Sequence, residues 1–416
     1  MSDKIISPKK DTINTSVINL EQARYWFILY KDTFVWIKNK DILVYNSKNC
    51  KSDLFKINDI TTKVFEAFQD IHNLYCIELI DLENSIVQDI ISRIERMDAG
   101  RLICQEKESL KPIVLPPILN FQPNLEVIEN NEYSIIKGKA AHYLNEITLY
   151  LNKEDKLTRQ LVHLDYTKLK ENLSILPYSS VSNVNLYAKS ITKYVYWEEI
   201  LEFFANNNIE ISINLRLKEI EDFHLMENNS FFNAITINIE VENGTEKDYR
   251  IALSKLKDKF QKINWRIFIS EEQEYRQQEE IIKLLEQETY EFIPVFTGKN
   301  IAFFKENVYL TNNDLKDIEI SRKDIFMNQV LNSNYFGKLT IMSNGKVYAG
   351  TQMPAIGTIN DSVQELVYKE LTQGKSWLRI RDMEPCCDCV YQWLCPPPSD
   401  YELIIGSPNL CDKIFT

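Results

Sequence analysis

The sequence predicts an α/β chain: a partial α/β barrel with a small strand-then-helix module ahead of it and a cysteine-rich domain behind it. Three observations carry that expectation. Strand-like and helix-like segments alternate through the middle of the chain, which favours parallel strands covered by helices. Short apolar runs followed by two amphipathic segments fill residues 21–105. An Asn-Gly hairpin signal and then a cluster of cysteines occupy residues 331–416.

Residues 1–20 are polar and aperiodic and read as a flexible tail. The module at 21–105 opens with three strand signals, YWFILY (25–30), FVWIKN (34–39) and ILVYN (42–46), separated by polar pairs that suggest a β-meander. Helical signals follow at 60–69 and 85–97, where Ile86, Val87, Ile90, Ile91, Ile94 and Met97 recur on one face. This is a winged-helix-like order. Proline fixes φ and removes a donor, so the proline-rich run at 106–118 reads as a linker. The barrel expectation covers 119–330, with strands at 146–151, 184–188, 209–215, 234–241, 265–269 and 292–296, and helices at 197–207, 246–260 and 279–288. In the last domain, strands at 338–342 and 346–349 flank Asn344-Gly345, a type I′ signal. Ser362 and Glu365 form a capping-box pattern for a helix that ends at Gly374.

Composition narrows the function. With 48 Lys+Arg against 60 Asp+Glu in 416 residues, the formal charge is −12, which argues against a phosphate backbone as the main partner. No apolar run is long enough to span a bilayer. The amino terminus lacks the apolar core of a signal peptide, so the expected location is cytoplasmic. Only 10 glycines occur, and no GxGxxG or GxxxxGK[ST] is present, which disfavours nucleotide-loop enzymes. The four histidines show no HxH or HExxH spacing, and the paired carboxylates sit on the solvated faces of helix patterns.

In a reducing compartment eight cysteines speak for metal chemistry rather than disulfides. Cys386, Cys389, Cys395 and Cys411 give C-x2-C-x5-C-x15-C, and four thiolates suit either an iron–sulfur cluster or tetrahedral zinc. Cys387 stands beside them as a substitute ligand, whereas Cys50, Cys76 and Cys104 read as small buried hydrophobes.

The segment GKLTIMSNGKVYAG, with CCDCVYQWLCPPPSDYELIIGSPNLC after it, resembles the SPASM domain of peptide-maturing radical SAM enzymes. More closely it resembles the variant in pseudo-radical-SAM proteins of ribosomal-peptide (RiPP) maturation, the GG-Bacteroidales type and the SPASM partner of grasp-with-SPASM systems. ARYWFILYKDTFVWIKNKDILVYN is also similar to the first of these groups. A full SPASM domain holds two auxiliary [4Fe-4S] clusters. Here Gly350 and Ser399 stand where two of the ligands to one of them belong, so the resemblance implies one [4Fe-4S] cluster on Cys386, Cys389, Cys395 and Cys411, with zinc as the alternative. The CxxxCxxC of radical SAM enzymes is missing after EITLYLN (146–152), and no glycine pair follows Val184. The resemblance therefore implies a degenerate radical-SAM-like barrel with no S-adenosylmethionine and no catalytic residues, hence a pseudoenzyme.

By the same resemblance the first module looks like a RiPP recognition element, which binds a leader peptide as an added strand. The expected edge is Ile42–Asn46, with Ile42, Val44 and Tyr45 facing a helix that carries Gln88, Arg93 and Arg96. The implied partners are a ribosomal precursor peptide and a separate radical SAM or ATP-grasp maturase, with no nucleic acid and no membrane span. Two other readings stay open: a redox-active or S-adenosylmethionine-independent peptide-modifying enzyme, and a zinc-ribbon nucleic-acid binder.

Overall fold

The computed structural model describes residues 23–106, 109–117, 139–155, 158–174, 179–222, 235–374 and 376–411. The tail expected at 1–20 and His224 lie outside them. Two compact units form, one from residues 1–119 with 316–322 and 388–391, the other from 120–315, 323–387 and 392–416. No helix among the described residues is long and apolar enough to cross a membrane.

In the first unit, strand β1 (Ala23–Leu29) runs between β5 (Cys76–Glu78) and β6 (Gly100–Glu106), antiparallel to both. Strands β2 (Thr33–Lys38), β3 (Asp41–Asn46) and β4 (Lys51–Lys56) make a separate antiparallel meander in that order. The meander expectation holds with a change of members, since residues 25–30 leave it and Lys51–Lys56 join. Trp26, Phe27, Ile28 and Leu29 are all buried, which requires cover on both faces and places β1 in the middle of its own sheet. Helices α1 (Asp59–Gln69) and α2 (Ser85–Arg96) close the core with Phe65, Phe68, Ile90 and Ile94. Helix α1 is entered through a capping box between Asn58 and Thr61.

In the second unit, strands β7 (Glu146–Glu154), β9 (Asn183–Ala188), β10 (Glu210–Arg216), β11 (Ile235–Glu242), β12 (Lys262–Ile269) and β13 (Tyr290–Pro294) are parallel neighbours in chain order. That is the order of an α/β barrel left open, as expected. Strand β8 (Leu161–His163) turns back antiparallel on β7. Strand β14 (Lys338–Ile341) joins β7 in parallel on the side away from β9 and leads to β15 (Lys346–Tyr348) and β16 (Gly357–Thr358). Only Gly345 of the hairpin turn has positive φ, at 79°, and its N–H bonds to the Met342 carbonyl at 2.8 Å. The turn is thus a type I turn closed by a left-handed glycine rather than the type I′ turn, which needs two positive φ values.

The strands alternate. Ile147, Leu149, Val184, Leu186, Ile211, Ile213, Ile237 and Ile239 fill one face. Helices α3 (Tyr166–Leu173), α4 (Trp197–Asn206), α5 (Glu246–Leu256), α6 (Glu272–Leu284) and α7 (Val363–Gln373) bury it. The other face carries polar side chains and lines a cleft of about 600 Å³. Helix α7 starts at the expected Ser362–Glu365 capping box and ends at Gly374. Gly374 is extended (φ −71°), so its role is space: a Cβ there would lie 2.0 Å from the Glu370 carboxylate.

Candidate functional site

Three regions bear on function, the first being the proline run that follows Cys395. Three consecutive prolines offer carbonyls without N–H groups, so their polar atoms need side-chain donors. Each finds one: Pro396 O accepts from Arg381 Nε, Pro397 O from Asn334 Nδ2 at 3.3 Å, and Pro398 O from Asn332 Nδ2 at 2.8 Å. Asn328 Nδ2 donates to the Trp393 and Cys395 carbonyls at 3.1 and 3.2 Å. Past the prolines, Ser399 caps helix α8 (Asp400–Ile405). Its backbone N–H donates to Glu402 Oε2 at 2.8 Å. Glu402 Oε1 in turn accepts from Arg381 Nη2 at 2.8 Å.

Arg381 also directs Nη1 at Cys386 Sγ, 3.7 Å away. Its charge acts on Cys395 as well, and Cys411 acts on Cys386, so three of the four expected sulfurs share one electrostatic environment in the second unit. Burial pushes the Cys386 thiol up, Arg381 pulls it down, and Cys411 adds to the rise. Cys411 Sγ accepts from Asn409 Nδ2 at 3.1 Å. Cys389 is 7% exposed and belongs to the first unit. No disulfide joins the eight cysteines. Among the described residues no group of three or more His, Cys, Asp or Glu is arranged to hold a metal ion.

The second region is the meander, where the expected edge is corrected. Strand β3 is the middle strand, paired on both sides, and Ile42, Val44 and Tyr45 are fully buried. The Tyr45 hydroxyl is spent on the Ile320 backbone, 2.8 Å from both its N and its O. A continuous apolar run belongs in the centre of a sheet, whereas the charged run Lys51–Lys56 suits an edge. On β4 the Leu54 N–H donates to Asp53 Oδ1 and the Leu54 carbonyl accepts from Arg93 Nη2, both at 2.9 Å. Arg93 Nε also bonds to Asp53 Oδ2 at 2.8 Å, and its guanidinium lies over the Phe55 ring, 3.8 Å from the centroid. Arg93 therefore sits at the β4 edge. Gln88 instead ties back to the Leu82 carbonyl at 3.0 Å, and Arg96 is exposed.

The third region is the polar face of the open sheet. Asn264 Nδ2 donates to Asn238 Oδ1, and Asn238 Nδ2 to Asn214 Oδ1, each at 3.1 Å, a ladder across three in-register strands. Arg266 bonds to Glu291 Oε1 at 2.6 Å and to the Tyr187 hydroxyl at 2.9 Å, with Glu240 3.7 Å away. Burial raises the Glu240 carboxyl above the usual range and Arg266 opposes the rise. At the carboxyl ends of β7 and β9, where open α/β sheets take ligands, Lys189 Nζ and Glu154 Oε2 pair at 2.8 Å. The chain leaving β7 closes as a hairpin onto β8, with Asp155 N bonded to Gln160 O at 2.8 Å.

Reasoning from sequence missed Arg381, Glu402, Asn332 and Asn334. The signal for the asparagines was present, since a triple proline obliges its surroundings to supply side-chain donors.

No protein-family model and no curated protein matches the chain. Among solved structures it is similar to SuiB of Streptococcus suis at 12% identity and TM-score 0.42, covering 93% of this chain and 99% of that one. The same protein bound to precursor peptide SuiA gives TM-score 0.44, and bound to S-adenosylmethionine 0.40, with the same identity and coverage.

Proposed function

We propose that this chain is a non-catalytic accessory protein of ribosomal-peptide maturation, a pseudo-radical-SAM protein that takes a precursor's leader as an added strand and serves a separate maturase. The observation that carries the reading is the β4 edge, a strand with one sheet partner and backbone groups turned outward beside α2. Two features support loss of radical chemistry. The segment after β7 is a hairpin without cysteine, and the carboxyl end of the sheet holds the Lys189–Glu154 pair. Cys386, Cys395 and Cys411 are the proposed ligands of one retained centre.

The test is made on the full chain, reconstituted anaerobically with iron and sulfide and given S-adenosylmethionine under reducing conditions. About four irons per chain and no 5′-deoxyadenosine are expected. The peptide encoded beside the gene should bind with roughly micromolar or better affinity. Formation of 5′-deoxyadenosine above the no-protein control overturns the pseudoenzyme reading. Zinc uptake without iron leaves a structural zinc site.

The polar cleft favours a second reading, a modifying enzyme that works without S-adenosylmethionine, through Arg266 and Glu240. A mass change in the precursor on incubation with the full chain alone, abolished in Glu240→Gln, would establish it.

A further inference from the structure

We propose that the second unit holds a site for an aliphatic monocarboxylate, in which Arg379 takes the carboxylate and an apolar wall takes the chain. The site is a cavity of about 840 Å³ lined by α7, α8 and residues 378–384 between them. Pockets for small molecules run from roughly 300 to 1,000 Å³, so the space fits such a ligand. Leu371, Leu378, Ile380, Met383 and Leu403 supply the apolar lining. Met383 is 74% exposed and Leu403 36%, which leaves apolar surface in water at the wall of the cavity. Cys386 lines the cavity as well, and the site needs nothing bound to that sulfur.

Two arginines line the cavity, and they differ in what they have left to give. Arg381 is spent, with Nη2 on Glu402, Nε on the Pro396 carbonyl and Nη1 directed at Cys386 Sγ. Arg379 Nη1 is buried and has no hydrogen-bond partner among the described residues. A guanidinium nitrogen shut off from water costs free energy until an acceptor reaches it. The carboxylates at the start of α8 are engaged elsewhere, Glu402 on Arg381 and Asp400 Oδ1 on the Tyr335 hydroxyl at 2.7 Å. Asp382 and Glu384 line the cavity but stand exposed to water. The Arg379 carbonyl accepts from Nδ2 of the fully buried Asn332 at 2.9 Å, so its backbone is fixed before any ligand arrives.

The lining also selects the ligand. A guanidinium fork matches a carboxylate, and one unpaired cation beside two exposed carboxylates suits a single negative charge rather than a phosphate dianion. The hydroxyls of the lining have no proton left for an incoming carbonyl: Thr372 Oγ1 donates to the Tyr368 carbonyl at 2.8 Å, and Ser407 Oγ to the Asn409 carbonyl at 2.7 Å. The body of the ligand is therefore an apolar chain rather than a peptide.

The test measures binding of octanoate and of uncharged octanamide to the full chain by titration calorimetry, with Arg379→Gln and Met383→Glu beside wild type. Wild type is expected to bind octanoate about tenfold or more tightly than octanamide, which is what one charge-assisted hydrogen bond supplies. Arg379→Gln should lose that preference. Met383→Glu brings a negative charge to the wall at an exposed position and should weaken octanoate more than octanamide. Equal octanoate affinity in wild type and in an Arg379→Gln variant that folds as wild type does by circular dichroism overturns Arg379 as the anchor. No octanoate binding to wild type overturns the site. If N-acetyl-leucyl-phenylalanine binds more tightly than octanoate, the cavity takes a peptide carboxyl terminus and the aliphatic assignment fails. If Arg379→Gln does not fold, the preference for octanoate over octanamide decides: its absence in wild type, or its persistence unchanged in Met383→Glu, overturns the proposal.

Discussion

Each unit of this chain contains an arginine bonded to a carboxylate and to a backbone carbonyl, Arg381 and Arg93, and the two pairs do different work. Arg381–Glu402 is 9% and 2% exposed, whereas Arg93–Asp53 is 22% and 29% exposed. The first is enclosed by the proline run and the α8 cap, so both charges depend on each other. The second lies along a strand edge and occupies backbone groups that a further strand would use. Burial, rather than residue type, separates a fixed charge from an exchangeable one.

The largest expected effect comes from breaking the buried pair. Glu402→Ala strands the Arg381 charge and should cost about 3–5 kcal/mol of stability. Asp53→Asn at the β4 edge should cost less than about 1 kcal/mol. Urea unfolding of both variants checks the contrast, and equal losses would break it. Salt sharpens the same comparison, because only the partly exposed pair is open to screening, over a Debye length of about 10 Å at 0.1 M. Raising the ionic strength should therefore shrink the Asp53→Asn difference and leave the Glu402→Ala difference in place.

The peptide-binding expectation moves with the edge. Leu54→Pro removes an N–H that bonds to the Asp53 side chain rather than to β3, so the meander should survive with a loss of about 1 kcal/mol. Peptide binding should fall at least tenfold if the incoming strand uses that N–H. Proline at Val44 instead falls in a strand paired on both sides, and it tests folding rather than binding. An unchanged affinity in folded Leu54→Pro would place the added strand elsewhere.

Much of the fold was legible because apolar periodicity is a local signal. The six parallel strands, α1 and α2 follow from it, and the Ser362 cap from its capping-box pattern. The meander's membership was not, since KSDLFK (Lys51–Lys56) carries three charges and has no apolar run, and its strand character comes from pairing with β3. Likewise the spacing of Cys386, Cys395 and Cys411 was visible in the chain. Arg381 was not, because its role comes from a contact with Glu402, 21 residues away, and not from any motif.

The smallest expected effect concerns a second buried carboxylate, that of Glu370. Glu370 Oε1 accepts the Ser376 and Trp377 N–H groups at 2.9 Å each, and its Oε2 is buried with no hydrogen-bond partner among the described residues. Burial raises this carboxyl above the usual glutamate value, and the two N–H groups only partly oppose the rise. The folded chain thus keeps a proton that the unfolded chain has already released, in the window between the ordinary value of about 4.3 and the raised one. Stability linked to Glu370 is complete below that window and falls as pH rises through it. Glu370→Gln puts an uncharged amide in the same place and should flatten the decline, seen as a urea midpoint that changes less than wild type between about pH 4 and 7. A urea midpoint that falls through the window as steeply in Glu370→Gln as in wild type would mean that the proton sits on another group.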